Sequence, residues 1–468
     1  MDIGIKLIGH ERIYELENIV RATFKGVKIV FDIDCENMVI SELKEREVIT
    51  TIRLGNTEYV GISSFNPDKP YLNKLGLIIN LSYVDAYKKY TPFNLAWGIL
   101  IGIRPQKKVS QLKEFGYSED QIKDILINDF LISEKRADLM IKADGFEEEI
   151  EKCKMKNGVS LYIGIPFCKT RCAYCSFISK PLLDDKELQV YLENLCKEIE
   201  TAKNIKNIET VYIGGGTPTV LNENQLSKLL YTINNTLDLS KIREFSVEAG
   251  RPDSINKEKL KILKDMGVDR ISINPQTLND KTLREIKRNH TKEDFFAAFN
   301  LAKETGFKTV NCDLIAGLYK ESIDDFKYSL DKIYSLNPEN ITVHTLSIKR
   351  SADYTENQAT NNIARLMQDY TFEKLKDYIP YYIYRQKNTL DGLENTGYCK
   401  KGHECLYNVY MMREVQSIIA FGGGSVSKAI LKDEIVRLRN PKDSVEYIRN
   451  INKIITKKEE FLNEYFNC

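Results

Sequence analysis

Between Val159 and about Ile348, short apolar runs alternate with amphipathic stretches, and this rhythm constrains the fold more than any other feature of the chain. The apolar runs are VSLYIGIPF, IETVYIGGGTP, REFSVEAG, DRISINPQ, KTVNCDLIAG and NITVHTLSI. Between them lie DDKELQVYLENLCKEIETAKN, NENQLSKLLYTINNTL, NKEKLKILKDMG, TKEDFFAAFNLAKETG and IDDFKYSLDKIYSL. In the first of these Leu188, Leu192, Leu195 and Ile199 share one helical face. Strand–helix units in series build a parallel sheet with right-handed crossovers. Six of them predict an α/β barrel or partial barrel.

The residues that carry chemistry gather at the ends of these runs. Cys168, Cys172 and Cys175 follow the first, Gly214, Gly215, Gly216 and Thr217 the second, and Glu248 the third. Gln276, Asp313 and His344 lie at or near the ends of the next three. The C-terminal strand ends of β/α barrels carry the site, so six strands would bring these residues to one mouth.

Outside the barrel the text is less regular. Residues 1–155 read as a mixed α/β domain. There KGVKIVFDI, EVITTIRL and LGLIINLSYVDAYKKY are strand-like. LAWGILIGIRP leads into a helical stretch with Ile122, Ile125, Leu126, Phe130 and Leu131 at roughly helical spacing. GFEEEIEKCKMKNG reads as a solvated helix end and linker. The barrel core is placed at 156–375 and a C-terminal region at 376–468. NIARLMQDYTFEKLKDYI is expected to be helical. YYIYRQKN, EVQSIIAFGGGSVSKAI and IVRLRN should form short strands with a glycine turn, and the end of the chain is again helical.

With a net charge of +1, no bulk field argues for nucleic acid or an anionic membrane. FNLAWGILIGI is too short to span a bilayer. The N-terminus shows early acidic residues and no apolar signal region, so a cytoplasmic protein is expected. Ten cysteines in that compartment stay reduced, so clustered ones point to metal or redox chemistry before disulfides.

Cys168, Cys172 and Cys175 are spaced C-x3-C-x2-C. A structural zinc site usually recruits four ligands in two close pairs, and an ordinary [4Fe–4S] ferredoxin cluster takes four cysteines. Three would leave one iron open to a substrate or cofactor, and S-adenosylmethionine can bind such an iron through its amino and carboxylate groups. The alternatives are a zinc ligand set or chance spacing. Gly214–Gly216 either lets backbone groups approach a ligand or makes a tight strand-to-helix turn. Glu248 either pairs with a cationic ligand group or caps the next helix. Asp313 either accepts from ribose hydroxyls or caps a turn. Gln276 and Arg288 are singly ordinary surface types; taken together at the strand ends, these residues favour ligand binding. His290 and His344 fall near the mouth, whereas His10 and His403 carry no such placement. Cys399 and Cys405 with His403 could hold a second metal, on unspecific spacing. Cys196 reads as a packed small hydrophobe.

At these residues the chain resembles the radical S-adenosylmethionine superfamily. YIGIPFCKTRCAYCSF, GGGTPT, EAGRPDS and NCDLIAGL resemble the anaerobic coproporphyrinogen III dehydrogenase group. ITVHTLSIKRSA, YYIYRQKN, GHECLYN and WGILIGIRP resemble its HemZ branch. The resemblance implies a three-quarter (β/α)6 barrel with extra terminal α+β regions and a [4Fe–4S] cluster on Cys168, Cys172 and Cys175. It implies S-adenosylmethionine at Tyr162, Gly215 and Glu248. Tyr174, Gly216, Thr217, Gln276, Arg288, Asp313 and Ser347 match positions that contact a second adenosyl ligand, so one or two such molecules are expected. The implied reaction is oxidative decarboxylation of two coproporphyrinogen III propionates, giving protoporphyrinogen IX, with an electron donor such as ferredoxin or flavodoxin. Arg385 and Lys387 are candidate propionate anchors or solvated cations. The chain departs from the dehydrogenase at Phe177, where that enzyme has a cysteine, and at Gly164, where it has histidine. CAYCSF looks more like the heme-chaperone branch, so the alternative is a heme-binding or heme-trafficking protein that keeps the cluster. A non-enzymatic, zinc-stabilised binding module is the third reading.

Overall fold

The computed structural model describes residues 1–31, 35–175, 179–182, 184–348, 362–386 and 388–466. The chain divides into two compact units, Met1–Asp144 with Tyr384–Glu394, and Gly145–Ile383 with Asn395–Cys468.

The first unit is built on a five-stranded sheet in the order Lys28–Phe31, Asp2–Ile8, Asn37–Lys44, Glu47–Leu54, Thr57–Ser64. Asp2–Ile8 runs parallel to both neighbours, and the last three strands form antiparallel hairpins. LGLIINLSYVDAYKKY, expected to be a strand, is instead the helix Leu75–Tyr90. It buries Ile78, Ile79, Tyr83, Val84, Ala86 and Tyr87, which recur at helical rather than alternating spacing. A short apolar run does not distinguish strand from helix by periodicity; sixteen residues without a break is the length of a helix. Within this unit Arg385 donates to Leu100 O (2.6 Å) and Gly392 O (2.9 Å) and lies over the Trp97 ring. Those donors brace the unit. Lys387 lies outside the described residues.

The second unit holds the expected barrel strands: β1 (Val159–Ile165), β2 (Ile208–Gly215), β3 (Glu244–Glu248), β4 (Arg270–Ser272), β5 (Thr309–Ala316) and β6 (Asn340–Thr345). Each is parallel to the next. Together they form the expected (β/α)6 partial barrel. The crossovers carry the helices Asp185–Glu200, Glu223–Thr236, Lys257–Asp265, Lys292–Thr305 and Ile323–Ser335. Their starts are written locally: Asn222, Thr291 and Ser322 form capping boxes, and Asp184 and Asn256 cap with their side chains.

The C-terminal region extends this sheet on both sides. After β6 come β7 (Ile379–Arg385) and β8 (Glu394–Cys399), the latter antiparallel to β6. On the other side β9 (Ser417–Phe421) runs parallel to β1, followed by the antiparallel β10 (Val426–Ile430) and β11 (Ile435–Arg439). The sheet order is β7-β8-β6-β5-β4-β3-β2-β1-β9-β10-β11. Closure of the barrel therefore stops short, with antiparallel and added strands where further β/α units would stand. The C-terminal helix Ile451–Phe466 is tied in by a fully buried pair, Lys458 Nζ to Glu198 Oε1 at 3.4 Å. The Tyr447 hydroxyl and Asn440 also donate to Glu198, at 2.6 and 2.8 Å. Breaking one partner of such a buried pair is costly because it strands the other charge.

Alternation within the strands sorts the barrel into an apolar outside and a polar inside. Successive strand residues point to opposite faces. Leu161, Ile163, Val211, Ile213, Phe245, Val247, Ile271, Val310, Leu314, Ile341 and Val343 are buried under the helices. The intervening positions are polar and bond to one another across the interior. Ser160 meets Thr210 (2.8 Å), Asn311 meets Ser272 (3.1 Å), and Thr342 meets Asn311 (3.1 Å).

The two ends of this interior differ. At the N-terminal strand ends, Glu244, Arg270, Thr309 and Asn340 are covered by the segment around GHECLYN. Arg270 and Asn340 donate to His403 O at 2.9 and 3.1 Å, and Thr309 meets His403 Nδ1 at 2.9 Å. Glu244 accepts from Leu406 N (2.7 Å) and from Cys405 Sγ (3.3 Å). The Cys405 thiol and the His403 ring are thus both hydrogen-bonded at this end, where their segment serves as a plug.

Candidate functional site

The opposite end gathers the residues expected at the mouth. Strand β1 ends at Ile165, and the chain passes through the short strand Phe167–Cys168, paired with Lys180–Pro181. Cys168 is buried against the turn after β2: Thr217 Oγ1 donates to its Sγ at 3.4 Å. Gly216 N donates to Ile165 O and Thr217 N to Phe167 O, both at 2.8 Å, so the two loops are laced together. Burial pushes the Cys168 thiol up, with the Thr217 hydroxyl pulling against it. Cys172 and Cys175 are half-buried and share a turn, Cys175 N donating to Cys172 O at 3.1 Å.

The glycines here are structural necessities. A Cβ on Gly216 would lie 2.4 Å from Phe167 O and 2.9 Å from Cys168 Sγ. Gly215 has φ +113°, a region closed to most side chains. The turn reading and the close-approach reading thus hold together: the turn is tight because it seats against the first cysteine. Three thiols on one loop beside a side-chain-free cradle, with hydroxyl and guanidinium donors aimed at their sulfurs, fit a thiolate-held cluster. Among the described residues no three His, Cys, Asp or Glu side chains are grouped to share a single metal ion.

Below the cradle three tyrosine rings stack. Tyr162 of β1 and Tyr212 of β2 are 6.3 Å apart at 16°, and Tyr407 lies 4.7 Å from Tyr212 at 22°. The Tyr212 hydroxyl donates to Glu248 Oε1 at 2.5 Å. Burial raises the Glu248 carboxyl to about 7; the charge of Asp313 adds to this, and the Tyr212 hydrogen bond opposes it. Asp313 accepts from Asn311 at 2.7 Å, and its Oδ2 is 3.6 Å from His344 Nε2. Burial pushes Asp313 up, but His344 and Asn311 outweigh it and hold the carboxyl below its ordinary value.

Gln276 has φ +67° and donates its N–H to Asp313 O at 2.9 Å. Its side-chain Oε1 is buried without a partner in the structure. An unpaired buried acceptor beside a mouth asks for a donor from a ligand. Arg288 is buried; its two Nη atoms donate to Gly250 O (2.8 Å), Asn274 O (2.9 Å) and the Tyr174 hydroxyl (2.9 Å), while its Nε is buried without a partner. It therefore holds Tyr174, between the second and third cysteines, in place. Ser347 is buried just beyond the end of β6. His290 is also buried; burial and then the Arg288 charge lower its pKa to about 3, so its ring is neutral. Phe177 lies outside the described residues.

Several side chains at this end escaped the sequence reading: Tyr212, Asn311, Asn274 and Arg251. The first three were legible as the polar positions of alternating strands, VYI, VNC and SIN. Arg251 stood inside EAGRPDS, but nothing local shows that its side chain reaches the cysteine loop.

Three comparisons bear on this geometry. The Radical SAM superfamily profile matches residues 162–333. The oxygen-independent coproporphyrinogen-III oxidase-like protein HemZ of Bacillus subtilis is 33% identical, covering 100% of this chain and 99% of its own. Heme chaperone HemW of the same organism is 40% identical over 41% of this chain and 51% of its own. Among solved structures, coproporphyrinogen III oxidase HemN from Escherichia coli has a TM-score of 0.53 at 22% identity, covering 68% of this chain and 72% of that one. That likeness speaks to the fold. No helix among the described residues is long and apolar enough to cross a membrane.

Proposed function

This chain belongs to the radical S-adenosylmethionine superfamily and, within it, to the HemZ branch of the oxygen-independent coproporphyrinogen III oxidase-like group, and from that premise we propose that it is a radical enzyme of anaerobic porphyrin metabolism. The superfamily implies a [4Fe–4S] cluster and S-adenosylmethionine. Cys168, Cys172 and Cys175 would hold the cluster, leaving one iron for the cofactor. When bound, the two would supply the radical chemistry that hydrogen abstraction from a propionate side chain requires.

The chain's own residues divide the remaining work. Gly215 and Gly216 let backbone approach the ligand. Tyr162 and Glu248 form the wall on the β1–β3 side, where an ionised Glu248 pairs with a ligand ammonium. Asp313, held below its ordinary pKa, stays ionised and offers an oxygen to ribose hydroxyls, and the Gln276 amide offers its unpaired oxygen. Thr217 supports Cys168 and Arg288 supports Tyr174. Ser347 closes the β6 side. Whether one or two S-adenosylmethionine molecules bind is a stoichiometry to be measured by equilibrium dialysis. Ferredoxin or flavodoxin would supply the electron.

The observation that carries this reading is the full-length match to HemZ together with a mouth that unites the three cysteines, the glycine cradle and partner-seeking polar groups. Anaerobic incubation of the reconstituted protein with coproporphyrinogen III, S-adenosylmethionine and reductant should give vinyl products. Cofactor cleavage without them would overturn the substrate assignment. One observation favours a second reading, a heme-trafficking protein that retains the cluster: the 40% identity to HemW over 41% of this chain. Stoichiometric heme binding in the same preparation, with no vinyl product, would select it.

A further inference from the structure

Arg251 follows β3 and is 3% exposed. One edge of its guanidinium grips Asp253, Nε to Oδ1 at 3.0 Å and Nη2 to Oδ2 at 3.1 Å. Its other end, Nη1, donates to Thr170 O at 2.9 Å and Thr170 Oγ1 at 2.8 Å, and lies 3.8 Å from Cys172 Sγ. The fork is planar and permanently charged. Four oxygen contacts fix its plane, so the approach to the sulfur follows from the hold. Lys169 Nζ donates to the Asp253 backbone carbonyl at 3.1 Å, which adds a second cation to the same corner.

We propose that Arg251 and Asp253 form a tuning pair for the cluster, in which Arg251 raises the reduction potential through Cys172 and Asp253 restrains that rise. The inference rests on the reading that the three cysteines hold a [4Fe–4S] cluster. Reduction adds one negative charge to the cluster. A buried cation with an N–H directed at a ligand sulfur stabilises the reduced form, and hydrogen bonds to sulfur and local charge are the levers that set such potentials. The carboxylate of Asp253 acts in the opposite sense, because it sits beyond the guanidinium and offsets its charge. Arg251 is accordingly a positioning and tuning residue.

A simple loop brace and a tuning pair make different predictions. A brace would lower cluster yield or protein stability in both variants, with no ordered change in potential. The tuning pair predicts opposite signs. The test uses the full-length protein, purified and reconstituted without oxygen, with the cluster potential read by mediator titration followed by electron paramagnetic resonance. Arg251→Met should move the midpoint to more negative values, Arg251→Lys less so, and Asp253→Asn should move it to more positive values. Thr170→Val, which keeps both charges, should shift it least. If the wild-type protein holds no four-iron, four-sulfide cluster, the underlying reading fails. If it holds one, and Arg251→Met and Asp253→Asn shift it in the same direction or not at all, the tuning pair fails. Should Arg251→Met not assemble a cluster, the sign for Asp253→Asn decides: a positive shift supports the pair, and a negative or null shift overturns it.

Discussion

Glu244 and Glu248 stand on one strand and one face, at opposite ends of the same barrel. Glu244 is enclosed: backbone N–H groups of Leu406 and Tyr407 and the Cys405 thiol all donate to it. Glu248 has the Tyr212 hydroxyl, the backbone of Gly215 and a like charge nearby on Asp313. The same residue type therefore serves as a keystone at one end and as a poised acid at the other. What separates the ends is what covers them. The GHECLYN plug closes the lower end with its own chain, whereas the upper end keeps Gln276 Oε1 unpaired and Asp313 and His344 only half-buried. A buried polar group left without a partner is costly, and a protein tolerates that cost where a ligand completes the bonding.

The strongest way to break this contrast is to remove cysteines at each end in turn. Cys168→Ala, Cys172→Ala or Cys175→Ala should each reduce cluster iron and S-adenosylmethionine cleavage to background, because a cluster on three thiolates has none to spare. Cys405→Ala should leave iron content and cleavage intact per folded molecule. It should cost about 1 kcal/mol of stability, because a thiol is a weak donor even to a carboxylate, read by chemical denaturation. Loss of the cluster in the Cys405 variant would dissolve the distinction between plug and site.

Glu248 sharpens it through pH. Its folded carboxyl titrates near 7, above the ordinary 4.5. A raised acid binds its proton more tightly when folded, so its favourable contribution is complete below 4.5 and is lost as pH rises through 7. Between those values stability should fall by up to about 1.4 kcal/mol per pH unit, then level off. Glu248→Gln should remove that slope and weaken S-adenosylmethionine binding at pH 8, where the wild-type carboxylate is ionised. Isothermal titration at pH 6 and pH 8 separates the two effects; an unchanged slope in the variant would mean that another group titrates there.

The sequence made the barrel legible because a period of two in the strands and 3.6 in the helices recurs six times. It made the mouth legible because Cys168, Gly215, Glu248, Gln276, Asp313 and His344 fall at successive strand ends. The helix Leu75–Tyr90 was not legible, since Leu77, Ile78, Ile79, Tyr83 and Val84 satisfy both periods over short windows. Nor was the plug. The contacts of Glu244 with Cys405 and of Arg270 with His403 join residues more than 130 positions apart, and no local pattern records them. Arg288 shows the same limit: singly it reads as an ordinary surface type, whereas it is buried and donates to Gly250, Asn274 and Tyr174.

At the closed end, Glu244→Gln keeps the shape but removes the charge that holds three donors. Hydrogen bonds to ionised groups contribute about 1.5–3 kcal/mol, so the denaturation midpoint should fall by that measure, with S-adenosylmethionine affinity unchanged. A change in affinity with no loss of stability would reverse the roles assigned to the two glutamates.

The smallest effect concerns a side chain that reaches from the plug toward the site. Tyr407 begins in the closing segment, yet its ring stacks on Tyr212, whose hydroxyl bonds Glu248. Tyr407→Leu keeps an apolar filling and removes the stack, worth about 0.5–1.5 kcal/mol beyond buried area. If the stack only fills space, the cost is confined to stability. If it fixes the Tyr212 ring, the Glu248 slope should also shift toward lower pH, because a less ordered, better hydrated carboxyl loses part of its burial. A double-mutant cycle of Tyr407→Leu with Tyr212→Phe reads that coupling. Additive stability changes and an unmoved slope would make the two ends independent, and coupling would make the plug part of the acid's environment.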